Sequence, residues 1–259
     1  MITTLNFATA PGHQVLAAAG KKILRPGGKA ATEQLFTWAN FQSGETVLEL
    51  AASFGESAIE IAKRFNVRVV GIEKNPDSVA KAKENIKAAG LSDRVTIIEG
   101  DIFQLDKITD KFDYVLAEAI LTMQSDAGKA KTLSGIRNCL KPGGKFLSHE
   151  MFVRDNAEQV RKSLSKSIRV NANPLTVSEW STACKVAGLT LQQQQTGKMG
   201  LLDLDRMIRD EGLLGTVKII SNILTKPSLR HRVKKMRRSF QQQGKNIGYI
   251  VFTSSVIGH

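Results

Sequence analysis

Residues 45–73 read E-T-V-L-E-L-A-A-S-F-G-E-S-A-I-E-I-A-K-R-F-N-V-R-V-V-G-I-E, the most informative stretch of the chain. Residues 46–50 form a short apolar run with β-branched content, the signature of a buried strand. Residues 51–55 are a loop of small residues. Residues 57–65 carry apolar side chains at helical spacing, and residues 67–72 are a second buried strand that ends on Glu73. A strand–loop–helix–strand unit of this length is a βαβ crossover in a parallel sheet. It places a helix N-terminus and a carboxylate at one crevice. A ligand with an anionic group and a ribose suits that crevice: backbone amides take the anion, and Glu73 accepts from the ribose hydroxyls.

Working outward, the dinucleotide fingerprint G-x-G-x-x-G fails at every glycine, since its positions fall on Ala51, Ser53 and Glu56. A different spacing survives: acid-x-small-x-small-x-Gly, as Glu49, Ala51, Ser53 and Gly55. Here the chain resembles the class I S-adenosylmethionine-dependent methyltransferases, whose first motif is acid-x-Gly-x-Gly-x-Gly. The resemblance continues in order. Glu73, with Lys74 beside it, matches the family's ribose-binding position. Gly100-Asp101-Ile102 ends a third strand, where Asp101 looks like the adenine-binding acid and Ile102 the residue that covers the adenine face. Residues 112–117 read as strand four, L-K-P-G-G-K at 140–145 as the turn before strand five, and 146–152 as that strand. Upstream, R-P-G-G-K-A-A-T resembles a segment that closes over the cofactor in small-molecule members. Downstream, P-L-T-V-S-E-W resembles the start of the helix before strand six. The match covers roughly residues 22–200. Ala51 and Ser53 depart from it, each carrying a Cβ where the family has glycine. The same loop is also compatible with an ordinary small-residue βα turn that binds nothing.

The resemblance implies an α/β fold. It is a Rossmann-like, seven-stranded, mostly parallel sheet with helices on both faces and an antiparallel last strand. Along the chain this divides into N-terminal helices (residues 1–45) covering the cofactor mouth, a methyltransferase core (46–200), a helical insertion (201–245), and the final strand of the core sheet (246–259). Leading helices are expected at about 11–24 and 30–41, with further helices at 77–89, 129–140 and 155–170. Thr176-Val177-Ser178-Glu179 is a capping-box pattern for the next helix, and Gly188 ends it. In the insertion, residues 213–224 are apolar almost all round. Leu229, Val233, Met236 and Phe240 form a stripe at spacings of four, three and four, a packing face. The insertion reads as a lid or a dimer arm, which leaves a homo-oligomer open.

At 259 residues with 42% hydrophobic content the chain has enough material for one large α/β core. No apolar run is long enough to cross a membrane, and the first ten residues lack a signal-peptide pattern. Cys139 and Cys184 are the only cysteines. They form no metal-binding pair, so no metal is expected, and they fit reduced, buried thiols in a cytoplasmic protein. The net charge of +13 is concentrated: nine basic residues and no acid lie between Lys218 and Lys245. Arg230 to Arg238 would form a solvated face of an amphipathic helix, or meet a phosphate, a membrane surface or an acidic substrate.

Methyl transfer from a sulfonium is an in-line displacement, and a base is needed only when the acceptor must lose a proton. Glu118, after strand four, is a candidate base or orienting group; a solvated loop carboxylate is the alternative. His149 and Glu150 lie late in strand five, and alternation lets only one face the cavity. His149 is the catalytic candidate, with a buried, satisfied histidine as the alternative. Ala117-Glu118-Ala119-Ile120 lacks the Asp/Asn-Pro-Pro-aromatic pattern of nucleic-acid amino-methyltransferases. The leading expectation is therefore an S-adenosylmethionine-dependent enzyme acting on a small-molecule acceptor. An RNA methyltransferase gripping through the basic insertion and a non-catalytic binding protein of the same fold are the alternatives. Nucleic acid is not favoured as a partner, because no interleaved aromatic pattern offers base stacking.

Overall fold

The computed structural model describes residues 6–256. Seven strands form one sheet: β1 (Thr46–Leu50), β2 (Arg68–Glu73), β3 (Val95–Glu99), β4 (Phe112–Glu118), β5 (Leu140–Val153), β6 (Leu189–Lys198) and β7 (Ile247–Val256). Their order is β3-β2-β1-β4-β5-β7-β6. The first five pair in parallel, and β7 runs antiparallel to both β5 and β6. The strand order reverses beside β1, between β2 and β4, which opens a crevice at the carboxyl ends of these strands.

Alternation along the strands feeds two cores. Val47, Val69, Leu116 and Leu147 face α2 (Gly28–Ala39), α3 (Glu56–Phe65) and α4 (Pro76–Ala88). Leu48, Ile72, Val115 and Phe146 face α5 (Asp126–Cys139) and α7 (Val177–Val186). A one-residue register slip would exchange these faces, so burial on both sides fixes the pairing. Both cysteines are free and buried. The expected capping box at Thr176 and Glu179 is present in full.

A third apolar cluster lies off the carboxyl end of β5. It joins α1 (Gly12–Ala18), α6 (Ala157–Ile168), α8 (Leu204–Thr225) and α9 (Pro227–Gln242) through Leu16, Met151, Leu164, Ile219, Leu229 and Met236. The α9 stripe therefore packs within its own chain: Leu229, Val233 and Met236 are buried and Phe240 is half-buried.

The structure departs from the sequence expectations at several elements. Helix α1 stops at Ala18, well short of residue 24, because Gly20 takes a left-handed φ of 101°. Helix α5 starts at Asp126, since the Ser125 side chain caps the Gly128 amide. Strand β5 begins at Leu140, through the turn placed before it, with a register shift against β4. Helix α8 breaks at Gly212, whose φ of 74° and ψ of 170° are not helical. Arg232 is not on the solvent face of α9: it lies one helical position from Val233, is only 4% exposed, and donates from Nη1 to the Ser167 carbonyl at 2.6 Å.

Candidate active site

The loop after β1 has left-handed backbone at Ala51 (φ 55°), Ser53 (φ 50°) and Gly55 (φ 76°). These are the three positions where the resembled motif carries glycine. The loop keeps the glycine geometry with two side chains added, and the structure shows how it is held. The Ala52 amide donates to the Ile72 carbonyl at 2.9 Å, and the Gly55 amide donates to the Ala52 carbonyl at 2.8 Å. The Ser53 amide donates to Glu73 Oε2 at 2.9 Å. A left-handed non-glycine residue costs about 1–2 kcal/mol. Glycine gives part of that back as extra freedom in the unfolded chain. Ala51→Gly and Ser53→Gly are therefore each expected to stabilise the fold by about 0.5–1 kcal/mol, read from chemical denaturation. Destabilisation by both would mean the loop is not strained.

Glu73, at the end of β2, also accepts from the Asn75 amide at 2.8 Å through Oε1. Each carboxylate oxygen offers two lone pairs, so both retain capacity for ribose hydroxyls. Helix α3 starts on Gly55 with no side-chain cap; the Ala58 amide turns to Glu49, and the amides ahead of it remain for an anionic group. Across the crevice Asp101 Oδ1 accepts from the Phe103 amide at 2.9 Å and Oδ2 from Lys74 Nζ at 2.8 Å. The Lys74 hydrogen bond, joined by that amide, holds Asp101 below the usual carboxylate range. Lys74 is 77% exposed in its side chain and free to swing away. Ile102 is half-buried next to Asp101. If Asp101 receives an adenine amino group, Asp101→Asn will weaken binding less than Asp101→Ala, because the amide still presents an oxygen. Equal, negligible effects of the two in a titration would make Asp101 a surface acid.

Glu49, in β1, is buried under the loop, and its Oε2 has no hydrogen-bond partner. Burial, reinforced by the nearby Glu118 charge and only partly offset by Arg25, pushes its pKa up to about 8. A raised folded pKa stabilises fully below the unfolded value near 4.5, and that contribution is lost as pH rises through 8. Between these limits stability is expected to fall by about 1.4 kcal/mol per pH unit, and Glu49→Gln should flatten this slope. Parallel pH profiles of parent and variant would rule out Glu49 as the group responsible.

The β4–β5 register sets Glu118 opposite His149, and the structure brings these two candidates together. Glu118 Oε2 accepts from Arg25 Nη1 at 2.6 Å, and Oε1 accepts from Thr32 Oγ1 at 2.6 Å. His149 Nε2 accepts from the Gly27 amide at 2.8 Å. That assigns the proton to Nδ1, which donates to Glu118 Oε1 at 3.2 Å. A Cβ on Gly27 would stand 2.6 Å from that ring nitrogen, so the close approach requires glycine. Burial depresses His149, more than its Glu118 contact raises it. Burial would raise Glu118, but Arg25, His149 and Thr32 outweigh it and hold the carboxyl at about 2. Glu150 faces the other way. It accepts from the Ile120, Leu121 and Thr122 amides and the Thr122 hydroxyl, building the turn after β4.

Arg25, Gly27 and Thr32 were not singled out in the sequence, although their segment was. The acids of α8 were missed as well. Glu211 accepts from the Lys22 and Ile23 amides and Lys21 Nζ, and Asp210 accepts from the Lys29 amide. Residues 21–29 are thus fastened to the sheet on one side and to α8 on the other. Beneath them lies an apolar cavity of about 70 Å³. Ala119, Met123, Met151, Met199, Met236 and Phe240 are among its lining, and among the described residues His13 is the one titratable side chain there. Among the described residues no group of His, Cys, Asp and Glu has metal-site geometry, and no helix is long and apolar enough to cross a membrane.

A reversed-order α/β sheet with an uncapped helix and two acids, Glu73 and Asp101, at its switch point is a setting that suits a nucleoside cofactor. The comparisons give the family. Residues 41–212 match the model of the methyltransferase domain, and the chain belongs to that family of S-adenosylmethionine-dependent enzymes. An uncharacterized protein of Haemophilus influenzae is 34% identical over 244 residues, covering 94% of this chain and 97% of that protein. The sterol 24-C-methyltransferase of Saccharomyces cerevisiae is 33% identical over 122 residues, 47% of this chain but only 31% of the yeast enzyme. A Thiobacillus denitrificans methyltransferase, solved with S-adenosylhomocysteine, superposes with a TM-score of 0.69 at 18% identity. The superposition covers 95% of this chain and 99% of the other, a likeness of fold. The residues fit the family's cofactor: Glu73 has spare acceptor capacity, α3 has free amides, and the orphaned Glu49 Oε2 would be satisfied by a ligand ammonium.

Proposed function

We propose that this chain methylates an apolar small-molecule acceptor, held in the methionine-lined cavity between the carboxyl end of β4 and the helical cover. The carrying observation is that cavity. It adjoins the end of the strand nearest the cofactor crevice, and its lining is apolar apart from His13. Bound S-adenosylmethionine supplies an electrophilic methyl group; the protein's part is to orient the acceptor and keep water out. Flexible methionines suit a cavity that must widen around its ligand. The similarity to a sterol methyltransferase over part of the chain supports an apolar acceptor.

In this reading Glu49, the 51–55 loop, Glu73, Lys74, Asp101 and Ile102 form the cofactor side. Glu118 and His149 act as positioning residues. A carboxyl held at about 2 and an imidazole with both nitrogens engaged do not take up protons near neutrality; they fasten residues 25–29 over the site. The helices ahead of β1 and the 201–245 insertion then serve as the cover. The test is incubation of the protein and labelled S-adenosylmethionine with cell extract, followed by partition between organic solvent and water. Label in the organic phase is the expected result. Label confined to the aqueous phase, or to RNA, contradicts an apolar acceptor.

A further inference from the structure

The α8–α9 hairpin exposes two faces of different chemistry. On α8, Leu213, Leu214, Val217 and Leu224 are between 57% and 86% exposed. At about 100° per residue they fall within one arc of roughly 100°, with Lys218 at its margin. The opposite side of the same helix is packed: Thr216 and Ile219 are buried, and Asn222 Nδ2 donates to the Ala19 carbonyl at 3.0 Å. On α9 the exposed face carries Arg230, Lys234, Lys235, Arg237 and Arg238.

We propose that this hairpin docks on the surface of an anionic phospholipid bilayer. The α8 side chains enter the acyl boundary and the α9 cations meet the lipid phosphates. An apolar helix face beside a basic one is what an interfacial helix requires. Charge selects this partner over the others. Two-fold pairing with a second copy would bring two acid-free basic surfaces together. A nucleic acid would use the cations but leave four large apolar side chains in water, and the exposed hairpin residues include no Phe, Tyr or Trp for stacking. Met236 and Phe240 on the inner side of α9 line the acceptor cavity, so the docked face backs directly onto its cover. Delivery of an apolar acceptor from the bilayer rests on the proposed function; the docking itself does not.

The experiment is co-sedimentation of the full chain with vesicles of phosphatidylcholine alone, or with about one-third phosphatidylglycerol. Binding to the anionic vesicles should be at least about tenfold tighter, and should weaken with salt. Leu214→Glu with Val217→Glu should weaken it about tenfold or more at low salt. Arg230→Gln, Lys234→Gln and Arg237→Gln together should abolish the preference for anionic lipid. Both variants change exposed residues only and should keep the parent's melting temperature and affinity for S-adenosylhomocysteine, measured on the same samples. That measurement separates failure of docking from failure of the methyltransferase reading. Equal binding to both vesicles overturns the proposal. So does unchanged vesicle binding by the glutamate variant, binding of the parent to a single-stranded RNA oligomer with no vesicle binding, or a dimer that the glutamate variant dissociates without any lipid effect.

Discussion

Replacing Arg25 with alanine is expected to cost about 3–5 kcal/mol, because it leaves the Glu118 carboxylate buried without its cation. The Arg25 and Glu118 side chains are only 12% and 8% exposed, so solvent screens the pair little. The sign of the pH dependence follows from the same contact. Glu118 is depressed to about 2 in the fold, so its contribution is complete above the ordinary value near 4.5. It is lost as pH falls from there toward 2. In Arg25→Ala this acid limb should shrink, since the variant no longer favours the ionised form. Thermal melts at several pH values measure both effects. Hydrogen exchange at the Gly27 and Lys29 amides would show whether residues 21–29 release before the rest unfolds. A loss under about 1 kcal/mol with an unchanged acid limb would show that the pair does not fasten the segment.

Glu73→Ala carries the second large effect. It should weaken S-adenosylhomocysteine binding by about 1.5–3 kcal/mol, as charge-assisted hydrogen bonds to the ribose disappear. The same carboxylate bridges the Ser53 and Asn75 amides, so the variant should also loosen the 51–55 loop. Glu73→Gln separates the two roles. Its amide oxygen can keep one backbone contact but not both, so it should fall between parent and alanine. Equal affinity of Glu73→Ala and the parent would remove the ribose assignment.

The placement of the candidate cofactor residues was legible because it is local. A βαβ unit of 29 residues brings Glu49, the loop and Glu73 together by chain geometry alone, and Thr46–Leu50 is the strand that the apolar run predicts. Asp101 needed only one more crossover. The cover was harder to read. The Arg25–Glu118 contact joins residues 93 positions apart, and the Gly27–His149 contact beside it depends on the β4–β5 register that sets Glu118 against His149. No pattern within either segment encodes that register. Arg232 shows a second limit. A count of charges along α9 places it with its basic neighbours, whereas its helical position puts it beside Val233 against α6. The run at residues 213–224 is apolar almost all round, and nothing in it says which arc is covered; in the fold Thr216 and Ile219 meet the protein while Leu213, Leu214, Val217 and Leu224 face solvent.

The S-adenosyl group is expected in the crevice at the ends of β1, β2 and β3. Calorimetric titration of the full chain with S-adenosylhomocysteine tests it most directly. The expected result is one molecule bound per chain, with affinity reduced in Glu73→Ala and retained in Leu214→Glu. No heat of binding and no thermal stabilisation at about millimolar ligand would contradict it.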